Sequence, residues 1–274
     1  MKKTRKFLYP ALIVLFVIMF LVSGGILADY FLDSRQQQTQ MDELSDIVGQ
    51  IQQEIQAELD AGGEDGAPLS PYTEVIDPNT GEKVTVLREY AKIYTLNTDL
   101  VGWIKIEGTR IDYPVLQQPR VENYYLKRDF YGRDSRHGSI YAAEQAQLDL
   151  PSDNVTLYGH RMADGTMFAD LHNYRNKDFF DQHPLVQFDT LTEHHTYQIC
   201  YTFVMSATEE SAFAYHTFVN GNEEEFNAFV AECKKLALYD TGAELVYGDK
   251  LITLSTCDHD ITDGRLVVVA RRID

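Results

Sequence analysis

Cysteine is scarce in this sequence. There are three in 274 residues, too few for a fold stapled by disulfides, and the odd number leaves at least one thiol free. Basic side chains are also short: 24 Lys and Arg face 42 Asp and Glu, a formal charge of −18. That balance argues against a nucleic-acid partner, because binding phosphate wants a basic face. The sequence contains no Cys-x-x-Cys, no His-Glu-x-x-His and no glycine-rich loop ahead of a helix, so no metal or phosphate cofactor is expected. Apolar residues are not lacking. At 44% hydrophobic and 12% aromatic, the chain is no disordered segment, and its length suits one catalytic-sized domain with appendages.

Only one long hydrophobic run is present. Lys2, Lys3, Arg5 and Lys6 precede an uncharged stretch from Phe7 to Ala28. At about 1.5 Å per residue, such a stretch spans a hydrocarbon core of about 30 Å. A cleaved signal peptide would carry a shorter apolar region, typically ~7–15 residues, and Gly24-Gly25-Ile26-Leu27-Ala28 is a weak cleavage site. The run is therefore read as an uncleaved anchor, with the N-terminus inside because the basic residues precede it. Residues 1–33 hold four basic and two acidic side chains, so 20 basic and 40 acidic remain, a net −20 for the external part. That acidity serves solubility.

Met41, Leu44, Ile47, Val48, Ile51, Ile55 and Leu59 recur at spacings of three and four, one apolar stripe of a helix over residues 36–60. A stalk, a short coiled coil and a docked helix all fit the stripe. Residues 61–68, rich in Gly and Ala and ending in Pro68, read as a linker. The expected division is a basic tail at 1–6, an anchor at 7–28, a helical stalk and linker at 29–72, and a catalytic domain at 73–274. Beyond Thr73, Val75-Ile76 and Val84-Thr85-Val86 flank an Asp77–Gly81 turn and predict a small hairpin. Residues 88–98 read as helical. Short β-branched or aromatic runs follow at 102–106, 111–116, 139–142, 155–158, 185–188, 196–205, 250–256 and 266–272. A short helix over 167–174 and an amphipathic one over 223–238 stand between them. Eight short strands with few helices favour a closed barrel, in an α+β domain that is mostly β.

Of the three thiols, Cys200 sits in an alternating strand and Cys233 in the 223–238 helix; both read as packing residues. A bridge between them is permitted but required by nothing in their spacing. Cys257 differs. It closes a strand at the edge of the acidic loop 258–264, where reactive groups are commonly displayed, and Arg265 opens the next strand. Antiparallel pairing across so short a connection sets Cys257 opposite Arg265. A permanent cation beside a thiol favours the thiolate, and its donor fork suits an oxyanion. Asp258, Asp260 and Asp263 would work against this if they pointed inward. A thiol nucleophile needs a proton partner. Of eight histidines, His160 follows the strand Asn154–Tyr158 and Gly159, a strand-end position like that of Cys257, whereas His259 lies in mid-loop; His160 is the preferred partner.

These residues also carry a resemblance. Asn154-Val155-Thr156-Leu157-Tyr158-Gly159-His160, Thr253-Leu254-Ser255-Thr256-Cys257 and Arg265-Leu266-Val267-Val268-Val269, with Val101–Ile104, Ile111–Val115 and Met167–Leu171, together resemble the class B sortases over about residues 90–272. The resemblance implies an eight-stranded sortase-type β-barrel with N-terminal helices and a helix in the loop preceding the Cys strand, a place taken by 223–238. It implies His160, Cys257 and Arg265 as catalytic residues and Ser255 and Thr256 as substrate-binding residues. The activity implied is that of a membrane-anchored cysteine transpeptidase without a cofactor. Such an enzyme cleaves the C-terminal sorting signal of secreted proteins after Thr and joins them to an amine of a peptidoglycan precursor or cross-bridge, or, in pilin-polymerising relatives, to a pilin lysine. Arg161 stands where relatives usually have Asn, and Ala142-Ala143 where many carry an Asp. Two alternatives differ in kind: a membrane-tethered binding module with an idle thiol, and a hydrolytic protease using water.

Overall fold

The computed structural model describes residues 2–61, 70–148, 152–207 and 213–274. Beyond Ala61, the linker expected at 61–68 lies outside them. The first helix, α1 (Lys2–Ala61), covers both the apolar run and the striped segment expected as separate elements. The chain forms two compact units, residues 1–40 and 41–274. In the first, residues 12–29 are exposed, and the helix they belong to is long and apolar enough to cross a membrane.

In the second unit, α1 is docked. Met41, Leu44 and Val48 enter the same core cluster as Leu87 and Tyr90, and Glu58 takes both Nη atoms of Arg88, at 2.8 and 3.1 Å. The Met41–Val48 part of the apolar stripe is thus packed on the domain while Leu59 is exposed, a use that its spacing permitted without selecting.

A hairpin of β1 (Tyr72–Ile76) and β2 (Lys83–Leu87) follows. Residues 88–96 form a 3-10 turn continued by α2 (Ala91–Leu96). Then come β3 (Leu100–Lys105), β4 (Asp112–Leu116), β5 (Ile140–Ala142) and β6 (Asn154–Tyr158). A 3-10 segment, Ala169–Arg175, leads to α3 (Lys177–Gln182), β7 (Leu185–Thr190), β8 (Thr196–Ser206), α4 (Glu223–Leu236), β9 (Leu251–Asp258) and β10 (Gly264–Arg272). Strands β3–β10 close an eight-stranded barrel in the order β10-β8-β7-β3-β4-β5-β6-β9, as expected.

Two of its pairings are parallel, β4 with β5 and β6 with β9. A parallel pair needs a crossover, and the long one from β6 to β9 carries β7, β8 and α4. Its consequence for the site is direct: β6 and β9 end at the same rim.

The middle of β10, Leu266–Ala270, is a continuous apolar run because it is buried on both faces. Leu266, Val268 and Ala270 point into the barrel core, while Val267 and Val269 join a second cluster with Phe226, Phe229 and Cys233 of α4. α4 is well nucleated. Asn222 accepts from the Glu225 amide and Glu225 accepts from the Asn222 amide, a reciprocal N-terminal cap.

Candidate active site

β9 and β10 pair antiparallel with Cys257 directly opposite Arg265. In such a pair, facing Cα atoms lie about 4.5–5.5 Å apart and both side chains leave by the same face. On the other side of β9, the parallel ladder with β6 ends at Tyr158↔Ser255. Two residues beyond that last pair stand His160, just past the end of β6, and Cys257, still on β9. The rim is fastened there by Gly159 N to Ser255 O at 3.2 Å and Thr256 Oγ1 to Gly159 O at 2.8 Å. Cys257 and Arg265 thus face each other on paired strands, and the two rim bonds hold the segment that carries His160 against β9. Glycine before His160 is needed for close approach: a Cβ on Gly159 would collide with Ile140 and come within 2.7 Å of Phe168.

The imidazole of His160 is half-buried, and its Nε2 donates to the Leu126 carbonyl at 2.7 Å. A carbonyl only accepts, so this bond puts the proton on Nε2 and leaves Nδ1 as the basic nitrogen. Burial holds the His160 pKa below its ordinary value, against the opposing pull of the Leu126 carbonyl; the ring is neutral near pH 7. His259, the competing partner, is exposed in the β9–β10 loop.

Alternation along β9 sorts its polar residues. Ser255 and Cys257 share one face, Thr256 and Asp258 the other. Asp258 is buried and turned from the thiol: its Oδ2 lies 3.2 Å from Arg175 Nη1 and 3.8 Å from His172 Nδ1. Asp260 also binds Arg175. The acidic loop beside Cys257 is thus engaged by a cation from the 169–175 segment.

A groove of about 680 Å³ has Arg265, Tyr158, Tyr215, Met205, Glu144 and Arg120 among its walls, so it reaches the rim through Arg265, while Cys257 and His160 do not line it. Arg265 is half-buried. Its Nη1 donates to the carbonyls of Gly264 at 2.9 Å and Asp263 at 3.4 Å, and among the described residues it meets no carboxylate. Burial raises the phenol pKa values of Tyr141, Tyr158 and Tyr215 and the charge of Arg265 lowers them, so these phenols are neutral near pH 7. Ser255 is buried behind Tyr215, whose hydroxyl it meets at 2.7 Å. Thr256 lies on the opposite face and is used in the bond to Gly159.

The tyrosines, Glu144 and the Leu126 carbonyl were not singled out from sequence. They come from loops and strand edges of separate segments, and only Tyr158, two residues before His160, carried a local signal. Asn123 belongs with them: at φ 52° it adopts the left-handed conformation that Asn tolerates, held by Glu144 Oε1 on its amide at 2.5 Å and the Tyr141 hydroxyl on its Oδ1 at 2.8 Å. Cys200 and Cys233 are free, buried thiols in the second cluster. Burial pushes Cys200 up to about 11 and raises Cys233 as well, so neither competes as a nucleophile.

Comparison with known proteins agrees with this geometry. The sortase domain family model matches residues 104–273. The chain is 32% identical over 187 residues to sortase B of Staphylococcus aureus, covering 68% of this chain and 75% of that protein. It is 34% identical over 196 residues to sortase B of Listeria monocytogenes, covering 70% and 76%. Among solved structures, a Staphylococcus aureus sortase B–substrate complex superposes with a TM-score of 0.70 at 25% identity, over 89% of this chain and 99% of that one. A sortase B from Bacillus anthracis superposes with a TM-score of 0.68 at 27% identity, over 89% and 99%. With its fold, its motifs and these relatives in accord, the chain belongs to the sortase family and is a cysteine transpeptidase of class B.

Proposed function

We propose that Cys257 is the nucleophile, His160 the proton carrier and Arg265 the oxyanion-binding cation of a reaction that releases the C-terminal tail of a secreted protein and joins the new Thr carbonyl end to an amine. The observation carrying this reading is the register that sets Cys257 opposite Arg265, with His160 two residues past the last pair of the neighbouring parallel ladder. Neutral His160 takes the Cys257 proton on Nδ1 as sulfur attacks the Thr carbonyl of the sorting signal. Arg265 receives the charge that develops on the carbonyl oxygen. His160 then passes the proton to the departing nitrogen, the C–N bond breaks and a thioacyl enzyme remains. An incoming amine gives its proton to His160 and displaces the sulfur, which takes that proton back as the thiol.

The groove walled by Tyr158, Tyr215 and Arg265 takes the sorting peptide, with Ser255 holding the Tyr215 hydroxyl from behind; Thr256 acts by fastening the rim. The acceptor is an amine of the cell wall, a reading supported by a sortase B solved in complex with triglycine. Anchoring through the apolar helix, N-terminus inside, holds the catalytic domain at the outer membrane face where both substrates arrive.

Incubation of the protein with a peptide library carrying Thr at the cleavage position, with triglycine as acceptor, tests this reading. Mass spectrometry should find peptides cut after Thr and extended by triglycine. Cys257→Ala should produce none. Products from the Ala variant, or release of the free acid alone when triglycine is present, would refute it.

A further inference from the structure

His137 is fully buried, and the reaction described above does not use it. Its Nε2 donates to Asp164 Oδ2 at 2.9 Å. The other oxygen of that carboxylate, Oδ1, accepts from the amide of Thr166 at 3.0 Å and from its hydroxyl at 2.6 Å. One carboxylate thus joins two loops. Asp164 belongs to the loop that leaves His160 and returns at Phe168, whose amide bonds the His160 carbonyl at 2.9 Å. This loop is held firmly enough to keep Met167 at φ 58°, a conformation that a side-chain-bearing residue adopts only under constraint from its surroundings. His137 belongs to the loop that supplies the Leu126 carbonyl.

The second loop is tied around that carbonyl. The Ser139 amide bonds the Tyr125 carbonyl and the Ser135 amide bonds the Lys127 carbonyl, each at 3.0 Å. Gly138, next to His137, packs so closely that a Cβ there would lie 2.5 Å from the Leu126 oxygen. The imidazole of His160 is therefore held at two points: its backbone by one loop, its Nε2 by the other. The His137–Asp164 bond is a side-chain tie between them.

We infer that His137 and Asp164 are positioning residues that aim the basic nitrogen of His160 at the catalytic rim by fixing the Leu126 carbonyl relative to the His160 backbone. This rests on the catalytic role proposed for His160. A shift of about 1 Å in a proton-transfer group can cost about 100-fold in rate, while the peptide groove is lined by neither His137 nor Asp164.

The test uses the full chain in detergent micelles, labelled with ¹⁵N-histidine, with His160→Gln to assign the ring signals. In the wild type, Nε2 of His160 should be protonated and Nδ1 not. In His137→Ala the two tautomers should mix. For transfer of a library-selected peptide to triglycine, kcat should fall about 10–100-fold with the peptide KM within about twofold. His137→Gln, whose amide can donate toward Asp164, should recover kcat to within about fivefold of wild type.

Should His137→Ala fail to fold, Asp164→Asn keeps an oxygen for Thr166 and removes the acceptor for His137; the same changes are expected. A folded variant with the wild-type His160 tautomer overturns the inference, whatever its rate, and so does a rate loss carried by KM alone. If the wild type transfers nothing to triglycine, the proposed reaction fails, while the tautomer measurement still decides the clamp.

Discussion

Replacing Arg265 by Lys separates the geometry of a donor fork from the presence of a charge. One nitrogen of the guanidinium is tied to the Gly264 and Asp263 carbonyls at 2.9 and 3.4 Å. The planar group is thereby set in the groove wall opposite Cys257, with its remaining N–H bonds free to point at the groove. A Lys ammonium is a point on a flexible stem and cannot hold the loop carbonyls and an oxyanion in fixed directions together. Removing one preorganised oxyanion donor typically costs about 3–4 kcal/mol, or roughly 100- to 1,000-fold in kcat. That loss is expected for Arg265→Lys, and at least as much for Arg265→Ala. Stability should change by less than about 1 kcal/mol, because the side chain is half-exposed and bonds only loop carbonyls among the described residues. Steady-state transfer to triglycine gives the rate, and thermal melting the stability. A Lys variant within about fivefold of wild-type kcat/KM would refute the fork.

Arg175→Ala should destabilise the protein by about 2 kcal/mol, since it strands the buried Asp258 carboxylate. Adding Asp258→Asn should return part of the loss, and a double-mutant cycle in urea showing additive effects would contradict the pairing. His194 bonds Asp189 at 2.8 Å and lies 3.2 Å from Glu89, and these partners, Asp189 first, raise its pKa to about 10. Because the folded value is the higher one, its stabilisation is full below the unfolded value of about 6.5 and fades as pH climbs toward 10. With the ring half-exposed, the contribution is about 1 kcal/mol. His194→Gln should lower Tm clearly at pH 6 and little at pH 10.5, and an equal drop at both would contradict the sign.

The barrel strands were legible because each is short, alternating and punctuated, and β10 because a continuous run from Leu266 to Ala270 marks a strand buried on both faces. The Cys257–Arg265 opposition also followed from sequence, since a short connection fixes an antiparallel register. The seven-residue loop proved shorter: β9 continues through Asp258, which puts that carboxylate on the opposite face from the thiol. α3 was missed, being six residues with too little length for helical periodicity; the Asn176 cap on the Asp178 amide was its only mark. Whether the stripe at Met41–Val48 docks or projects depends on a complementary surface elsewhere in the chain. The hold on His160 was beyond reach for a stricter reason: it is a backbone carbonyl at Leu126, and any residue supplies one.

The most direct test is to find where the acyl group sits. Mixing the protein with a library-selected peptide, quenching early and mapping the digested chain by mass spectrometry should show one thioacyl adduct, on Cys257, with Cys200 and Cys233 unmodified. Addition of triglycine should discharge that adduct into the joined product. Peptide cleavage with no adduct on Cys257, or an adduct that triglycine does not discharge, would contradict the account.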